Sequence, residues 1–366
     1  MIKTKQIDRT LLFSIIALVV FGLVIFFSAS LGLLARSGAR FGSIVSGQIG
    51  MGLILGSIGC YFISKVNYKV WGKYAFWIII ISIIITLCVF IPGLGFEHGG
   101  AKRWIAIGSL TLQPAEFLKF AYILYLSAWI ATVKSGVSTI KGGLLPFMII
   151  SGITGGILLM QPDTDTTFIM VLAGLAIYFV SGADWKHILT FLVISFVLLL
   201  GLIMSRPYLM QRVTTFINPN QDSQSSGYQI QQSLIAIGSG GFTGKGFGQS
   251  VQKFNYLPEP IGDSIFAVAS EEFGFIGASL LVLLFVLFFG RSMYISFKIR
   301  DTFGGLLMLG IAIIIVAQSF LNMASMLGIF PLSGLPLIFV SHGGTALFFS
   351  LCACGVLLNI SRYKNI

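Results

Sequence analysis

Apolar runs of eighteen or more residues recur along this chain from end to end, and that one feature decides what it can fold into. A helical run of that length crosses a hydrocarbon core of about 30 Å, and about ten such runs are present. They fall near residues 11–31, 44–63, 74–91, 116–133, 142–160, 164–182, 187–204, 264–290, 302–323 and 333–360. Lipid offers no partner for a free N–H or C=O, so each run must close its backbone hydrogen bonds internally. The reading is an all-α polytopic membrane protein of about ten transmembrane helices, one integral membrane domain over residues 1–366. Charge supports it: 10% of the residues are charged, against about 25% in a soluble domain.

The basic residues set the orientation. With the N-terminus in the cytoplasm, alternation puts Lys65, Lys69, Lys73, Lys134, Lys141, Lys186, Arg291, Lys298, Arg300, Arg362 and Lys364 inside. The short outer loops then hold Arg36, Arg40, Lys102 and Arg103. Both termini are therefore expected in the cytoplasm, by the excess of Lys and Arg on that side. The net charge of +11 answers to these loops and to anionic lipid rather than to nucleic acid, for which no aromatic and basic platform is visible. Cys60, Cys88, Cys352 and Cys354 all lie inside apolar runs, where free cysteine packs as a small hydrophobe.

This topology collects the polar chemistry on one face. A large outer loop, about 205–263, separates the seventh and eighth helices, and residues 97–114 and the turn Gln161-Pro162-Asp163 share its side. The stretch from Gly227 to Phe275 is the one long segment both polar and glycine-rich. It leads to Asp263, between Gly262 and Ser264 at the mouth of a helix, where a carboxylate could cap the helix or meet a substrate in the outer leaflet. Glu271 and Glu272 fall inside the apolar run and need basic partners, for which residues of the same outer loop are candidates. Glu116 and Lys119 stand three apart at a helix start, the spacing of a local ion pair, and Lys119 could alternatively tie to Asp163 and offer charge to a phosphate. Asp163 and Asp165, two apart, point in different directions and do not make a shared-proton dyad. Arg103 before Trp104 suits an interfacial anchor or an anion ligand.

Five motifs then carry a family resemblance. Gln113-Pro114-Ala115-Glu116-Phe117-Leu118-Lys119, Gln161-Pro162-Asp163, Gly227-Tyr228-Gln229-Ile230-Gln231-Gln232-Ser233, Tyr256-Leu257-Pro258-Glu259 and Ser341-His342-Gly343-Gly344-Thr345 occur in an order that resembles the SEDS family of cell-wall proteins. That family comprises FtsW, RodA and their sporulation relative, and the Gly227–Ser233 segment and the ending Leu358-Asn359-Ile360-Ser361 look more like FtsW than RodA. His342, Asp165 and Ile261-Gly262-Asp263-Ser264 depart from the family pattern.

The resemblance implies a peptidoglycan glycosyltransferase that polymerises lipid II at the outer face of the bacterial cytoplasmic membrane, releasing undecaprenyl diphosphate, in cell division or shape. It implies a class B penicillin-binding protein as transpeptidase partner, within a divisome or elongasome. Carried over residue by residue, the catalytic aspartate falls at Asp263, and substrate contacts fall at Arg103, Glu116, Lys119, Asp163, Lys245, Glu259 and Ser341. Asp263 would act as general base on the incoming sugar 4-hydroxyl, with Arg103 and Lys119 balancing charge on the diphosphate and a divalent cation, magnesium or manganese, as a helper. A lipid II flippase is the alternative. Transporters place ionisable groups near the midplane, whereas the charges here sit toward the outer ends of the spans.

Overall fold

The computed structural model describes residues 6–36, 38–98, 101–107, 110–219 and 226–364. The side chains of Arg36 and Arg40, counted in the orientation argument, lie outside the described residues. In chain order the helices are α1 (Arg9–Arg36), α2 (Gly38–Ser46), α3 (Gly56–Lys65), α4 (Tyr68–Leu87), α5 (Pro114–Val133), α6 (Leu145–Met160), α7 (Thr164–Val180), α8 (Trp185–Ser205), α9 (Pro207–Ile217), α10 (Ser226–Gly240), α11 (Gln252–Asn255), α12 (Ile265–Lys298), α13 (Thr302–Met326) and α14 (Gly344–Ser361). A π-helical stretch, Gly47–Leu55, joins α2 to α3. Among the described residues nine helical stretches are long and apolar enough to cross a bilayer, and α7, at 17 residues, is the shorter tenth.

Helix α13 is the most buried of these spans and α8 the least. Side chains such as Leu189, Val193, Phe196, Val197 and Leu198 of α8 face outward, which suits lipid and not water.

Three local outcomes differ from the sequence reading. Three strands, β1 (Gly95–His98), β2 (Ala101–Ile107) and β3 (Leu110–Leu112), form a small antiparallel sheet, the one sheet among the described residues. The expected outer loop carries α9, α10 and α11, so it is a folded element rather than an open loop. The last run, expected over 333–360, is helical only from Gly344, because Pro331 and Pro336 lack the N–H a helix needs and restrict the residues before them.

The two ends of the chain meet. Asp8 N donates to Ser361 Oγ (3.1 Å), Arg291 donates to both Asp8 carboxylate oxygens (2.9 and 2.7 Å), and Lys364 binds the same group. Burial alone would favour the neutral acid, but the two cations outweigh it and hold the Asp8 carboxyl well below the usual range. Asp8, Ser361 and Lys364 thus share one face, as an even number of crossings between them requires. Helix α12 starts just after Asp263 at the other face and brings Arg291 to this one.

Helix α12 breaks at Gly274, whose φ of 63° and ψ of −163° suit glycine alone. The groups freed by the break find partners in residues 241–246. Lys245 N donates to Glu271 O (3.0 Å), Gly246 N to Glu272 O (2.9 Å), Phe275 N to Gly241 O (3.0 Å) and Ile276 N to Phe242 O (3.2 Å). The approach is so close that a Cβ on Gly244, itself at φ 82°, would lie 2.1 Å from Glu272 O. Glu271 and Glu272 take the basic partners their burial demands: Lys245 Nζ is 2.6 Å from Glu271, and Lys253 Nζ is 2.6 Å from Glu272. The glycine-rich stretch is thereby fastened into the bundle just ahead of Asp263.

Candidate functional site

The loop before α12 turns because Pro258, Pro260 and Gly262 favour a turn over a helix. Glu259 O accepts from Gly262 N (3.0 Å) and Ser264 N (3.2 Å), closing that turn. The N-cap of α12 is Ser264, and no side chain caps it, so the Asp263 carboxylate is not committed to the helix end. The capping alternative is thus set aside.

Three other elements and its own turn bring charge to Asp263. Arg212 of α9 donates to both carboxylate oxygens of Asp165 at the start of α7 (3.1 and 2.9 Å), and Gly334 N donates to Asp165 Oδ2 (3.2 Å). Gly334 lies between the two groups: a Cβ there would be 3.8 Å from Asp263 Oδ2 and 4.0 Å from Arg212 Nη2. Arg103 of β2 donates from Nε to Gln161 O (3.1 Å) and from Nη2 to Pro162 O, which ties the sheet to the turn between α6 and α7. Glu259 stays exposed on the turn. Burial first, then repulsion from Glu259 and Asp165, push the Asp263 carboxyl up to about 7, against the pull of Arg212 and Arg103. A carboxylate poised there is half ionised near neutrality, the condition for accepting a proton efficiently.

A second polar group lies deeper. Lys119 and Glu116 of α5 are fully buried and paired at 2.9 Å, and Lys119 Nζ also donates to Gln318 Oε1 of α13 (2.6 Å). The tie between Lys119 and Asp163 expected from sequence does not form. Lys119 meets its own helix neighbour at i,i+3 and a neutral amide instead. Asp163 is the N-cap of α7, accepting from Thr166 N (3.3 Å), and its Oδ2 has no hydrogen-bond partner among the described residues. Asp163 and Asp165 point apart, as their spacing requires: one caps, the other meets Arg212.

Two of the sequence candidates have partners within the protein. The Ser341 hydroxyl donates to Gly262 O (2.8 Å) and accepts from Leu337 N (2.8 Å), which holds the loop before α12. Lys245 is bound to Glu271 and belongs to the fastening of the glycine-rich stretch. The His342 ring stacks on Phe26, with centroids 6.4 Å apart. No group of three His, Cys, Asp or Glu among the described residues could hold a metal, and Asp165 is already committed to Arg212. The residues present do not make a cage for a divalent cation, and no step is drawn through one.

Sequence reasoning missed Arg212, a single basic residue in a polar stretch with no motif around it. It also missed Gln318 and Asn322. Those two had a signal: polar amides one turn apart inside an apolar run are costly in lipid and mark interior contacts.

The sequence model of the cell cycle protein family of FtsW, RodA and SpoVE matches residues 9–366. A protein of Trichlorobacter lovleyi called probable peptidoglycan glycosyltransferase FtsW is 36% identical over 359 residues, covering 98% of this chain and 94% of its own. Stage V sporulation protein E of Bacillus subtilis is 38% identical over 311 residues, 85% of each chain. Among solved structures, a chain from "Structural coordination of polymerization and crosslinking by a peptidoglycan synthase complex" superposes with a TM-score of 0.81 at 23% identity, covering 98% of both chains. The rod shape determining protein RodA of Thermus thermophilus superposes with a TM-score of 0.69 at 23% identity, covering 97% of both.

Proposed function

We infer the activity of this chain from two premises: it belongs to the FtsW, RodA and SpoVE family of cell cycle proteins, and its surface carboxylate has the environment of a base. It is a peptidoglycan glycosyltransferase of the cell-division type, polymerising lipid II at the outer face of the cytoplasmic membrane. The observation that carries the reading is Asp263, uncommitted to the helix end and pushed up to about 7 beside two arginines.

Asp263 takes the proton of the incoming sugar 4-hydroxyl as that oxygen attacks the anomeric carbon of the donor. The bond to the lipid diphosphate breaks with its electron pair, and undecaprenyl diphosphate leaves with the new negative charge. A single displacement inverts the anomeric centre. A guanidinium has five N–H donors, and Arg103 uses two of its own on Gln161 and Pro162, which leaves donors for phosphate oxygens. Glu116, Lys119 and Asp163 support the floor of the site from below, and Glu259 faces the surface where substrate arrives. Asp8, Ser361 and Lys364 lie on the face opposite Asp263, which supports a cytoplasmic placement for both termini. The likeness to a chain from a study of polymerization and crosslinking supports a class B penicillin-binding protein as partner.

The test is glycan synthesis from labelled lipid II by the purified protein with its candidate transpeptidase. Polymer is expected. Passage of lipid II across vesicles without polymer would replace this reading with a flippase. Because Arg212 pulls the Asp263 carboxyl down, Arg212→Met is expected to move the acid limb of the pH–rate profile upward by about half to one pH unit. An unmoved limb would show that Asp263 does not feel this cation.

A further inference from the structure

The three carbonyls that lead into α12 are each held from outside their own loop. His342 N donates to Ile261 O (2.7 Å), Ser341 Oγ to Gly262 O (2.8 Å) and Asn322 Nδ2 to Asp263 O (2.8 Å). Two of the three donors belong to the stretch 331–343, which is itself not helical and needs support. Side-chain amides supply it. Gln318 Nε2 donates to Pro336 O (3.0 Å), Asn322 Nδ2 to Leu335 O (2.9 Å), and Gln48 both donates to Ser341 O (3.1 Å) and accepts from Gly343 N (2.9 Å).

Asn322 is distinctive among these. It stands on α13, the most buried of the spans, and one amide nitrogen bridges Asp263 to Leu335. Gly334, next to Leu335, is the residue against which Asp263 Oδ2 and Arg212 rest and which donates to Asp165. The bridge therefore sets the distance between the Asp263 backbone and the strip that binds Asp165 through Gly334 N. Asn322 Oδ1 is buried and has no hydrogen-bond partner among the described residues, so the amide's contacts here are those its nitrogen makes.

We infer that Asn322 is a positioning residue for Asp263, its side-chain amide fixing the aspartate against the Leu335 strip so that the carboxylate meets the acceptor hydroxyl in one orientation. This rests on the reading of Asp263 as the general base. A base displaced by about 1 Å still binds substrate but reacts about 100-fold more slowly, so the loss falls on kcat and not on KM. The environment that raises the carboxyl also depends on this spacing, so its ionisation moves with it.

The experiment compares the wild type, Asn322→Leu, Asn322→Ser, Ser319→Ala and Asp263→Asn in lipid II polymerisation by the full chain with its transpeptidase, across pH. Leucine has a similar volume and no donor. Serine keeps one donor and decides the question if the leucine variant fails to fold. Ser319, on the same helix, bonds only its own Ile315 carbonyl and serves as the control for loss of a buried hydroxyl. Asn322→Leu is expected to lower kcat about 10- to 100-fold with KM within about threefold, and to move the acid limb by about half a unit or more, with Asn322→Ser between it and wild type. A wild-type kcat and pH profile in the Asn322 variants, with Asp263→Asn inactive, overturns the inference alone. Polymerisation by Asp263→Asn at the wild-type rate overturns the reading of Asp263, and this inference with it.

Discussion

Replacing Asp263 with asparagine is expected to abolish glycan synthesis and to leave the protein folded. The amide has the shape of the carboxyl but cannot take a proton, and loss of a general base costs about 10² to 10⁴-fold in rate. Nothing in the fold requires the charge. Ser264, not Asp263, occupies the N-cap, and the contact that fixes Asp263 uses its backbone carbonyl, which asparagine keeps. The pH dependence gives a second, independent readout. A base works when ionised, and with the carboxyl at about 7 the wild-type rate should rise about tenfold per pH unit below that value and level above it.

Stability moves the opposite way. The folded state keeps the Asp263 proton to about 7 whereas an ordinary Asp releases it near 3.8, so the folded state binds more protons between these values. The wild type therefore loses stability as pH rises from about 4 to about 7, and Asp263→Asn lacks that decline. Thermal unfolding at pH 5 and pH 8 checks it: the gap in Tm between variant and wild type should favour the variant more at pH 8. An active Asp263→Asn enzyme with a wild-type pH profile would remove Asp263 from the chemistry.

The second large effect is on folding. Lys253 is fully buried, and its Nζ reaches Glu272 (2.6 Å) and Ser28 O (3.0 Å), which fastens residues 250–253 to both α12 and α1. Lys253→Met leaves Glu272 a buried carboxylate with Ser28 Oγ and Ser250 N as its remaining partners. Breaking one half of such a pair costs about 3–5 kcal/mol, a large share of the 5–15 kcal/mol typical of a folded protein. The expected result is a marked fall in Tm and in extractable folded protein. Glu272→Gln combined with Lys253→Met removes both charges and should recover most of the loss, because the penalty lies in the unpaired charge rather than in the missing contact. A single variant with wild-type Tm would show that the carboxylate takes up a proton at no cost.

How far each residue was legible depended on the range of its interactions. The membrane class, the order of spans and the side on which polar residues gather all follow from hydropathy and charge counted along the chain. The divergence of Asp163 and Asp165 and the pairing of Glu116 with Lys119 follow from helix geometry over two to four residues. Motifs located Asp263. Its surroundings were another matter: Arg212 lies 47 residues from its partner Asp165, Lys119 lies 199 from Gln318, and Asn322 lies 59 from Asp263. No periodicity connects positions so far apart.

The amino-acid sequence by itself determined that this chain lives in a membrane and crosses it about ten times, because the cost of burying backbone and charge in lipid is a local property, summed residue by residue. Tertiary structure alone decided which buried charges are locks and which are tools. Glu271 and Glu272 are neutralised by lysines folded back against a broken helix, while Asp263, in the loop just before that helix, is buried near the carboxylates of Glu259 and Asp165 and keeps its proton to about 7. The difference is one of environment: a carboxyl is tuned by whatever the fold brings within a few ångströms of it, and that is set by packing between distant segments.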